Sequence, residues 1–410
     1  MTWLIPLEEL SIEQIRAVEA SPDENRLVIG APGSGKTQIL LHRAAYLRNK
    51  LRTSGNRFQI FVFTNVLKDY ISSALDMLDL PVSCVSTYDL WCRKFYQANV
   101  SRNVPWNGKS PDFDAIRSGV HDFVLANVKS PLFDFVMVDE GQDLDPETFE
   151  VLDTIAGHVT VCADSKQQIY EYGSEESEII DGLGLRRANN TLLEAFRCSP
   201  FIVSVAAALV DRREEAAALE NQARTSTEGR ETPLLYIADD FDDERARLID
   251  IVRTRSMKGE KVGILLPHNR QVFGFAQGLS EAGLEVEIAA RKGKSTDRIP
   301  LNFNSDRPKL MTYHSAKGLT FDTVILPRLV PNSFSNLTNE RIKKLLFVGV
   351  TRATKWVYMS STKANIVDPI EELMDLKDEG KLTVQHAGDP ISVSRPTTTS
   401  DVGDDLTDLL

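Results

Sequence analysis

The sequence is organised around one stretch, Gly30-Ala31-Pro32-Gly33-Ser34-Gly35-Lys36-Thr37. It fits the phosphate-loop pattern of glycine, four residues and then Gly-Lys-Thr, without a mismatch. The apolar residues 27–29 before it predict a buried strand, and residues 38–49 after it predict a helix. Such a loop turns backbone N–H groups and the helix N-terminus toward an anion. The pattern predicts a nucleotide site, with Lys36 on the β- and γ-phosphates and the Thr37 hydroxyl on Mg²⁺. A glycine-rich turn without a ligand is the alternative.

A second buried strand, predicted over residues 133–138, ends in Asp139-Glu140. Beside a phosphate loop, the first carboxylate of such a pair orders Mg²⁺ and the second orients or deprotonates the attacking water. Without that loop, a polar turn would be the better interpretation. Another strand, predicted over 159–163, is followed by Asp164. Because ligands bind at the carboxyl ends of parallel strands, we expect both aspartates near the loop.

The composition is that of a globular protein with more than one core. The chain has 410 residues, 42% hydrophobic and 26% charged, with a net charge of −12. Alternating strands and helices predict an α/β fold with parallel sheets. No apolar run approaches a membrane span, the start does not resemble a secretory signal, and four cysteines show no metal-binding spacing. We therefore expect a cytoplasmic protein with reduced thiols. The acidic charge argues mildly against nucleic acid, although a cleft can be basic on an acidic body.

The pattern divides the chain into four predicted segments. Residues 1–190 form an ATP-binding domain, in which 99–112 are a surface loop. Residues 191–365 form a second α/β domain, with a polar loop or linker at 223–233. A helical extension over 366–387 and a disordered acidic tail over 388–410 complete the expected organisation.

Short motifs occur in an order that resembles the superfamily 1 helicases of the UvrD/Rep kind, from about residue 10 to residue 360. In the first half these are Ser11-Ile12-Glu13-Gln14, the phosphate loop, Phe63-Thr64-Asn65, Val85-Ser86-Thr87-Tyr88, Asp139-Glu140-Gly141-Gln142-Asp143 and Asp164-Ser165-Lys166-Gln167-Gln168-Ile169-Tyr170. In the second half they are Leu193-Glu194-Ala195-Phe196-Arg197-Cys198, Thr312-Tyr313-His314-Ser315-Ala316-Lys317-Gly318-Leu319-Thr320-Phe321-Asp322 and Val348-Gly349-Val350-Thr351-Arg352-Ala353-Thr354-Lys355.

The resemblance implies two RecA-like, doubly wound parallel-sheet domains with ATP in the cleft between them. Gln14 would read adenine, and Gly318 would join the phosphate loop in binding the nucleotide. Gln167 would link the γ-phosphate to the DNA-contacting segment. Arg197 and Arg352 would act as arginine fingers, since a guanidinium stays charged and grips phosphate oxygens. A surface salt bridge is the alternative for either arginine.

The same resemblance implies a path for single-stranded nucleic acid, which is held by charge and aromatic platforms. The candidate contacts are Thr64, Asn65, Thr87, Tyr88, Tyr172 and His314. Tyr172 stands where the family places an aromatic that stacks on a base. The aromatic candidates could equally be core residues.

The chain departs from the family pattern in four ways. Only about 40 residues separate Phe95 from Asp139, and about 115 separate the Arg197 motif from the His314 motif, so we expect both accessory subdomains to be absent or vestigial. Thr320 stands where the family usually has a glutamate that contacts the nucleotide sugar. Tyr172 is followed by glycine rather than the usual arginine.

Two functions remain open at this point. The first is an ATP-dependent translocase or helicase that moves 3′ to 5′ on single-stranded or tailed DNA, in DNA repair or phage defence, with RNA as an alternative strand. The second is an ATP-switched subunit of a nuclease or other effector complex. The acidic–apolar segment 404–410 would then be a docking peptide rather than a solvated end.

Overall fold

The computed structural model describes residues 3–31, 33–164, 174–186, 190–193, 198–221, 230–289 and 299–389. The strands are β1 (Arg26–Gly30), β2 (Phe58–Val62), β3 (Val85–Thr87), β4 (Trp106–Asn107), β5 (Ser110–Pro111), β6 (Phe135–Val138), β7 (Val159–Ala163), β8 (Asn190–Leu193), β9 (Leu234–Ala238), β10 (Val262–Leu266), β11 (Glu287–Ile288), β12 (Lys309–Thr312), β13 (Phe321–Leu326), β14 (Ala353–Thr362) and β15 (Thr383–His386).

The α-helices lie mostly between consecutive strands, as a parallel sheet requires. They are α1 (Ile12–Glu19), α2 (Lys36–Leu51), α3 (Asn65–Ser72), α4 (Tyr88–Asn99), α5 (Phe113–Asn127), α6 (Pro146–Ile155), α7 (Glu176–Gly182), α8 (Pro200–Ala208), α9 (Arg213–Asn221), α10 (Phe241–Met257), α11 (Asn269–Glu281), α12 (Asn339–Val350) and α13 (Asp368–Leu373). No helix in the described ranges is both long and apolar enough to span a membrane.

All the described strands except β4 and β5 form two parallel sheets. The first has the order β3-β2-β6-β7-β1-β8, and the second has the order β11-β12-β10-β13-β14-β9-β15. Successive residues of one strand enter different cores: Val28 of β1 packs on one side of the first sheet and Leu27 on the other. Strands that are buried on both faces read as the continuous apolar runs seen in the sequence. The prediction of two RecA-like α/β domains is confirmed.

The boundaries between the domains differ from those predicted. Strand β8 pairs with β1, so the first sheet extends to Leu193 rather than stopping at residue 190. Strand β15 pairs with β9, so 366–387 is not a helical extension but contributes a helix and an edge strand to the second domain. Residues 99–112 contain the antiparallel hairpin β4–β5 instead of a loop alone. Short strands such as these show too few residues for a periodic pattern.

One hydrophobic core continues from the first domain into the second. It includes Leu67 of α3 and Ala316 and Leu319 after β12. Nearby, the backbone N–H of Leu301 donates to Asp69 Oδ2 of α3 at 3.0 Å. These contacts place the carboxyl edge of the first sheet against the second domain, and the cleft between them contains the candidate site.

The connections between early motifs are short. Between α4 and β6 the chain forms only the β4–β5 hairpin and α5, and α5 packs on α4 and α6. The described residues from Leu234 to Leu326 build strands β9 to β13 of the second sheet and the helices between them. In these described ranges neither connection forms a separate subdomain.

Candidate functional site

The phosphate loop joins β1 to α2 at the carboxyl edge of the first sheet. Gly33 and Gly35 have positive φ angles of 75° and 89°. That left-handed backbone is strained for residues with a Cβ atom, so glycine is required at both turns. The Ser34 hydroxyl is buried and has no hydrogen-bond partner among the described residues. A buried donor without a partner fits a loop that is built to bind an anion.

Lys36, the first residue of α2, has its ammonium group held inside this loop. Its Nζ donates to the Gly30 carbonyl at 2.6 Å and to the Ala31 carbonyl at 3.2 Å. It also pairs with Asp164 Oδ2 at 3.4 Å. Both side chains of that pair are almost fully buried. The positive charge is therefore already positioned beside the loop's backbone donors.

Thr37 and Asp139 form the candidate magnesium site. The Thr37 hydroxyl donates to Asp139 Oδ2 at 2.8 Å, which joins the start of α2 to the end of β6. Burial raises the pKa of Asp139 to about 7, and the neighbouring charge of Glu140 adds to this effect. Within the described ranges no group of three or more His, Cys, Asp or Glu side chains could hold a metal. One carboxylate and one hydroxyl fit Mg²⁺, which binds few protein ligands together with phosphate and water.

Glu140 has an environment that keeps its carboxylate charged. Burial alone would raise its pKa, but the charges of Lys317, Lys36 and Arg352 outweigh burial and hold the pKa of Glu140 below its usual value. Gln142 Nε2 donates to Glu140 Oε2, and Gln142 Oε1 accepts from the Asp164 backbone N–H at 2.9 Å. A carboxylate kept charged and fixed in this way can accept a hydrogen bond from a water molecule and orient it.

Gly141 follows Glu140. The family motif that Asp139-Glu140-Gly141-Gln142-Asp143 resembles is Asp-Glu-Ala-Gln-Asp, so alanine is the expected residue at this position. Glu140 itself has a φ angle of 57°, so the chain turns sharply after β6. A Cβ atom on Gly141 would collide with Val161 Cγ1 of β7. The glycine therefore permits close packing between this turn and the neighbouring strand.

The two domains enclose a cavity of about 650 Å³. Its walls include Lys36, Thr37 and Glu140 from the first domain, and Gly318 and Arg352 from the second. Gly318 has a φ angle of 78°, and a Cβ atom there would lie 3.2 Å from Glu140 Oε1. Arg352 Nε donates to the Val348 carbonyl at 3.1 Å, and its Nη1 donates to the Leu319 carbonyl at 3.4 Å. The arrangement places a buried guanidinium across the cleft from the phosphate loop.

An ion pair between the domains lies beside this cavity and was not predicted from the sequence. Lys317 Nζ is 2.5 Å from Asp143 Oδ1, and both side chains are at most 1% exposed. Both residues lie in motifs that the sequence analysis named, but their pairing depends on how the two domains meet. The pair ties the turn after β6 to the segment after β12.

The comparisons with known proteins match the two halves separately. An AAA domain model matches residues 14–173, and a UvrD-like helicase C-terminal domain model matches residues 294–364. These matches fall on the two sheets in the expected order. The chain belongs to the UvrD/Rep-like superfamily 1 helicases.

One curated relative of this helicase-family chain is a probable DNA helicase from Mycoplasma pneumoniae. It is 22% identical over 249 residues, which cover 55% of this chain and 43% of the relative. The chain thus aligns to less than half the length of that relative. The C-terminal domain of a possible DNA helicase from Lactobacillus plantarum WCFS1 is a similar solved structure, with a TM-score of 0.34 and 13% identity over 46% of this chain and 97% of that one. This likeness is too weak to support an argument.

In this member of the family, Gln14 supports the phosphate loop. Its Nε2 donates to the Ser34 carbonyl at 2.9 Å, while its Oε1 accepts from the Ser11 N–H at 2.9 Å in a capping box. Its contact with adenine stays a prediction. Gln38, which the sequence analysis missed, lines the cavity and holds the N-terminal segment through the Trp3 carbonyl and the Ile5 N–H. Its position two residues after Lys36, in the first turn of α2, was the feature of the sequence that could have indicated a place beside the nucleotide site.

The predicted DNA contacts differ in their exposure. Thr87 is the last residue of β3, and Thr64 lies two residues after the adjacent strand β2. Each hydroxyl caps the following helix. Asn65 is exposed and His314 is half-buried. Tyr88 is only 3% exposed and belongs to the core of the first domain. It does not fit its predicted role, because no ring face is available for a base.

Four of the predicted site residues lie outside the described residues. They are Pro32, Gln167, Tyr172 and Arg197. The role of Pro32 stays a prediction from the phosphate-loop pattern. The roles of Gln167 in coupling, Tyr172 in base stacking and Arg197 in phosphoryl transfer stay predictions from the family resemblance.

Proposed function

We propose that this chain is an ATP-dependent DNA translocase or helicase that uses Mg²⁺ and moves 3′ to 5′ along single-stranded or tailed DNA. The observation that carries the proposal is the cleft in which Lys36 and Glu140 of one domain face Arg352 of the other. The family matches on both domains support the ATPase core. The polarity rests on the family resemblance alone.

Each proposed catalytic role follows from the position of a side chain. The Lys36 ammonium leaves the loop carbonyls for the phosphates, where charge and hydrogen bonds are both stronger. The Glu140 carboxylate orients the attacking water and accepts its proton. Thr37 and Asp139 would hold Mg²⁺, which would supply positive charge to the phosphate oxygens.

Arg352 makes hydrolysis depend on domain closure. Its guanidinium is hydrogen-bonded to carbonyl oxygens of its own domain, so it reaches a phosphate only by exchanging those bonds. A charged phosphate oxygen is a stronger acceptor than a peptide carbonyl. Nucleotide therefore draws the second domain toward the first, and release of product reverses this movement. Because Thr64 and Thr87 cap helices at the same sheet edge, closure also changes the surface offered to a DNA strand.

The test is ATP hydrolysis by the purified chain, measured with and without single-stranded DNA. We expect stimulation by DNA in the wild type and in Glu147→Gln, an exposed control in α6. Lys36→Ala should abolish hydrolysis and weaken nucleotide binding. Glu140→Gln should bind fluorescent ATP normally but lose turnover by about 100-fold or more. Robust turnover in Glu140→Gln would show that this residue is not the base.

Arg352→Ala separates closure from DNA binding. It should lose hydrolysis by about a thousandfold, the contribution of an arginine finger, while its affinity for DNA stays near that of the wild type. Equal loss of DNA affinity and turnover would contradict the role assigned to Arg352.

The second candidate is an ATP-switched subunit of a nuclease or other effector complex, acting in DNA repair or phage defence. The short connection through the β4–β5 hairpin and α5 favours it, since accessory subdomains contact the duplex in the family that the sequence resembles. Unwinding of a 3′-tailed duplex distinguishes the two functions. Stimulated hydrolysis with unwinding supports the helicase, stimulation without unwinding supports a translocase that acts with a partner, and absence of stimulation supports the switch.

A further inference from the structure

The β4–β5 hairpin presents an aromatic side chain to solvent. Trp106, the first residue of β4, is 58% exposed, more than Phe241 at 47% or Phe273 at 38%. Among the described residues its strand pairs only with β5, and no hydrophobic cluster there includes it. A single exposed apolar residue is common on protein surfaces, so the ring of Trp106 indicates binding only together with the charges around it.

The segment around the hairpin is basic in an acidic chain. Residues 90–111 contain Arg93, Lys94, Arg102 and Lys109 and no Asp or Glu, whereas the whole chain carries a net charge of −12. Lys94, Arg102 and Lys109 are exposed. A positive surface with an exposed aromatic ring is the combination that binds single-stranded nucleic acid without reading its sequence.

The hairpin also lies close to the proposed DNA path. The backbone N–H of Asp112 donates to the Pro105 carbonyl at 3.0 Å, so the base of the hairpin adjoins the start of α5. Arg117 of α5 lies five residues after Asp112, which is about 7–8 Å along the helix. Its guanidinium pairs with the Asp89 carboxylate of α4 at 2.7 Å. Asp89 lies two residues after Thr87, at the carboxyl end of β3. The hairpin therefore flanks the edge where we place the strand.

We propose that the hairpin is a second contact for single-stranded DNA, with Trp106 stacking on a base and Lys109 and Arg102 facing phosphates. This inference rests on the proposed function and adds a binding site to it. The contact lies away from the nucleotide cavity, so it contributes affinity rather than catalysis. It extends the DNA-binding surface beyond Thr64 and Thr87, the threonines that cap α3 and α4.

The experiment measures binding of the full chain to fluorescent oligodeoxythymidine by anisotropy. Stacking of one base on an aromatic ring predicts that Trp106→Ala weakens binding by about fivefold or more, whereas Trp106→Phe keeps most of the affinity. Phe273→Ala, an exposed aromatic change in α11, is the matched control and should bind as the wild type does. The same DNA should stimulate ATP hydrolysis to an unchanged maximum in Trp106→Ala, but only at higher DNA concentration.

Charge is tested separately. Lys109→Glu should weaken binding and lower the salt dependence by roughly one phosphate contact, a slope change of about 0.7 for a single strand. Lys377→Glu makes the same charge change at an exposed position in the second domain and should leave the slope unchanged.

Tryptophan emission gives a direct readout of contact. Trp3 and Trp91 are half-buried and Trp356 is buried, so Trp106 should dominate the emission that iodide quenches. Oligodeoxythymidine should protect this emission in the wild type, and Trp106→Phe should lack the protected component. The inference would be overturned if Trp106→Ala bound DNA as tightly as the wild type does, or if bound DNA did not change the quenching. In either case, hydrolysis stimulated by DNA would still support the proposed function. A wild type that neither binds DNA nor is stimulated by it would overturn both.

Discussion

Gly141 offers the most direct test of how the catalytic turn is packed. It follows Glu140, and a Cβ atom at this position would collide with Val161 Cγ1 on the neighbouring strand. The family pattern that this chain resembles has alanine here. We predict that Gly141→Ala damages the ATPase, although alanine is the family's own residue, because Val161 occupies the space that its methyl group needs.

The size of the effect follows from the geometry. Carbon atoms pack at about 3.5–4.0 Å, so the added methyl group and the Val161 side chain would have to part by roughly 1 Å or more. Overpacking of a buried position typically costs about 1–3 kcal/mol of the free energy of unfolding. A displacement of about 1 Å at a catalytic group reduces the rate by about 100-fold. Both effects should appear together.

The assay combines urea unfolding with DNA-stimulated ATP hydrolysis in Gly141→Ala, Val161→Ala and the double variant. Val161→Ala removes the colliding methyl group, so the double variant should be at least about 1 kcal/mol more stable than the sum of the single effects. It should also regain most of the hydrolysis that Gly141→Ala loses. Gly274→Ala, which adds a Cβ atom with nothing within 4 Å of it, is the control and should not destabilise the protein. Additive losses in the double variant, or normal turnover in Gly141→Ala, would refute this reasoning.

Two further predictions concern buried charge. The Asp143–Lys317 pair bridges the domains and is almost fully buried, so either Asp143→Asn or Lys317→Met should lower the free energy of unfolding by about 3–5 kcal/mol in urea melts. The double variant should lose less than the sum of the two single losses. A loss equal to that sum would contradict coupling between the two residues. His158 is buried beside Arg43, and burial together with that positive charge lowers the pKa of His158 to about 3. Below about pH 6.5, His158 binds a proton in the unfolded chain but stays neutral in the folded protein. The free energy of unfolding should therefore decrease as the pH falls, by roughly 2 kcal/mol at about pH 5. His158→Asn should lose this part of the pH dependence in urea melts, whereas the exposed His386→Asn should retain it.

The sequence by itself determined the strands and the nucleotide chemistry. The phosphate loop and Asp139-Glu140 are local patterns, and each requires only that a strand ends where the motif begins. Apolar runs such as 159–163 identify buried parallel strands because both of their faces are covered by helices. Asp164 accordingly pairs with Lys36, and Asp139 accepts from Thr37, so both aspartates lie beside the loop at one edge of the sheet, as predicted. The short strands β8 and β15 were missed, because four residues carry too little periodicity and pairing with a distant neighbour decides their state.

Only the tertiary structure decided which candidate residues face the cleft and which face the core. Tyr88 and Trp106 are both aromatic residues in polar surroundings of the sequence, yet Tyr88 is 3% exposed and Trp106 is 58% exposed. The pairing of Lys317 with Asp143 and the collision that excludes a side chain at position 141 also depend on segments far apart in the chain. Local sequence patterns determine the chemistry of the nucleotide site, because that chemistry requires particular residue types at fixed spacings along the chain. Exposure and long-range contacts depend on how separate elements pack, which no single stretch of sequence specifies.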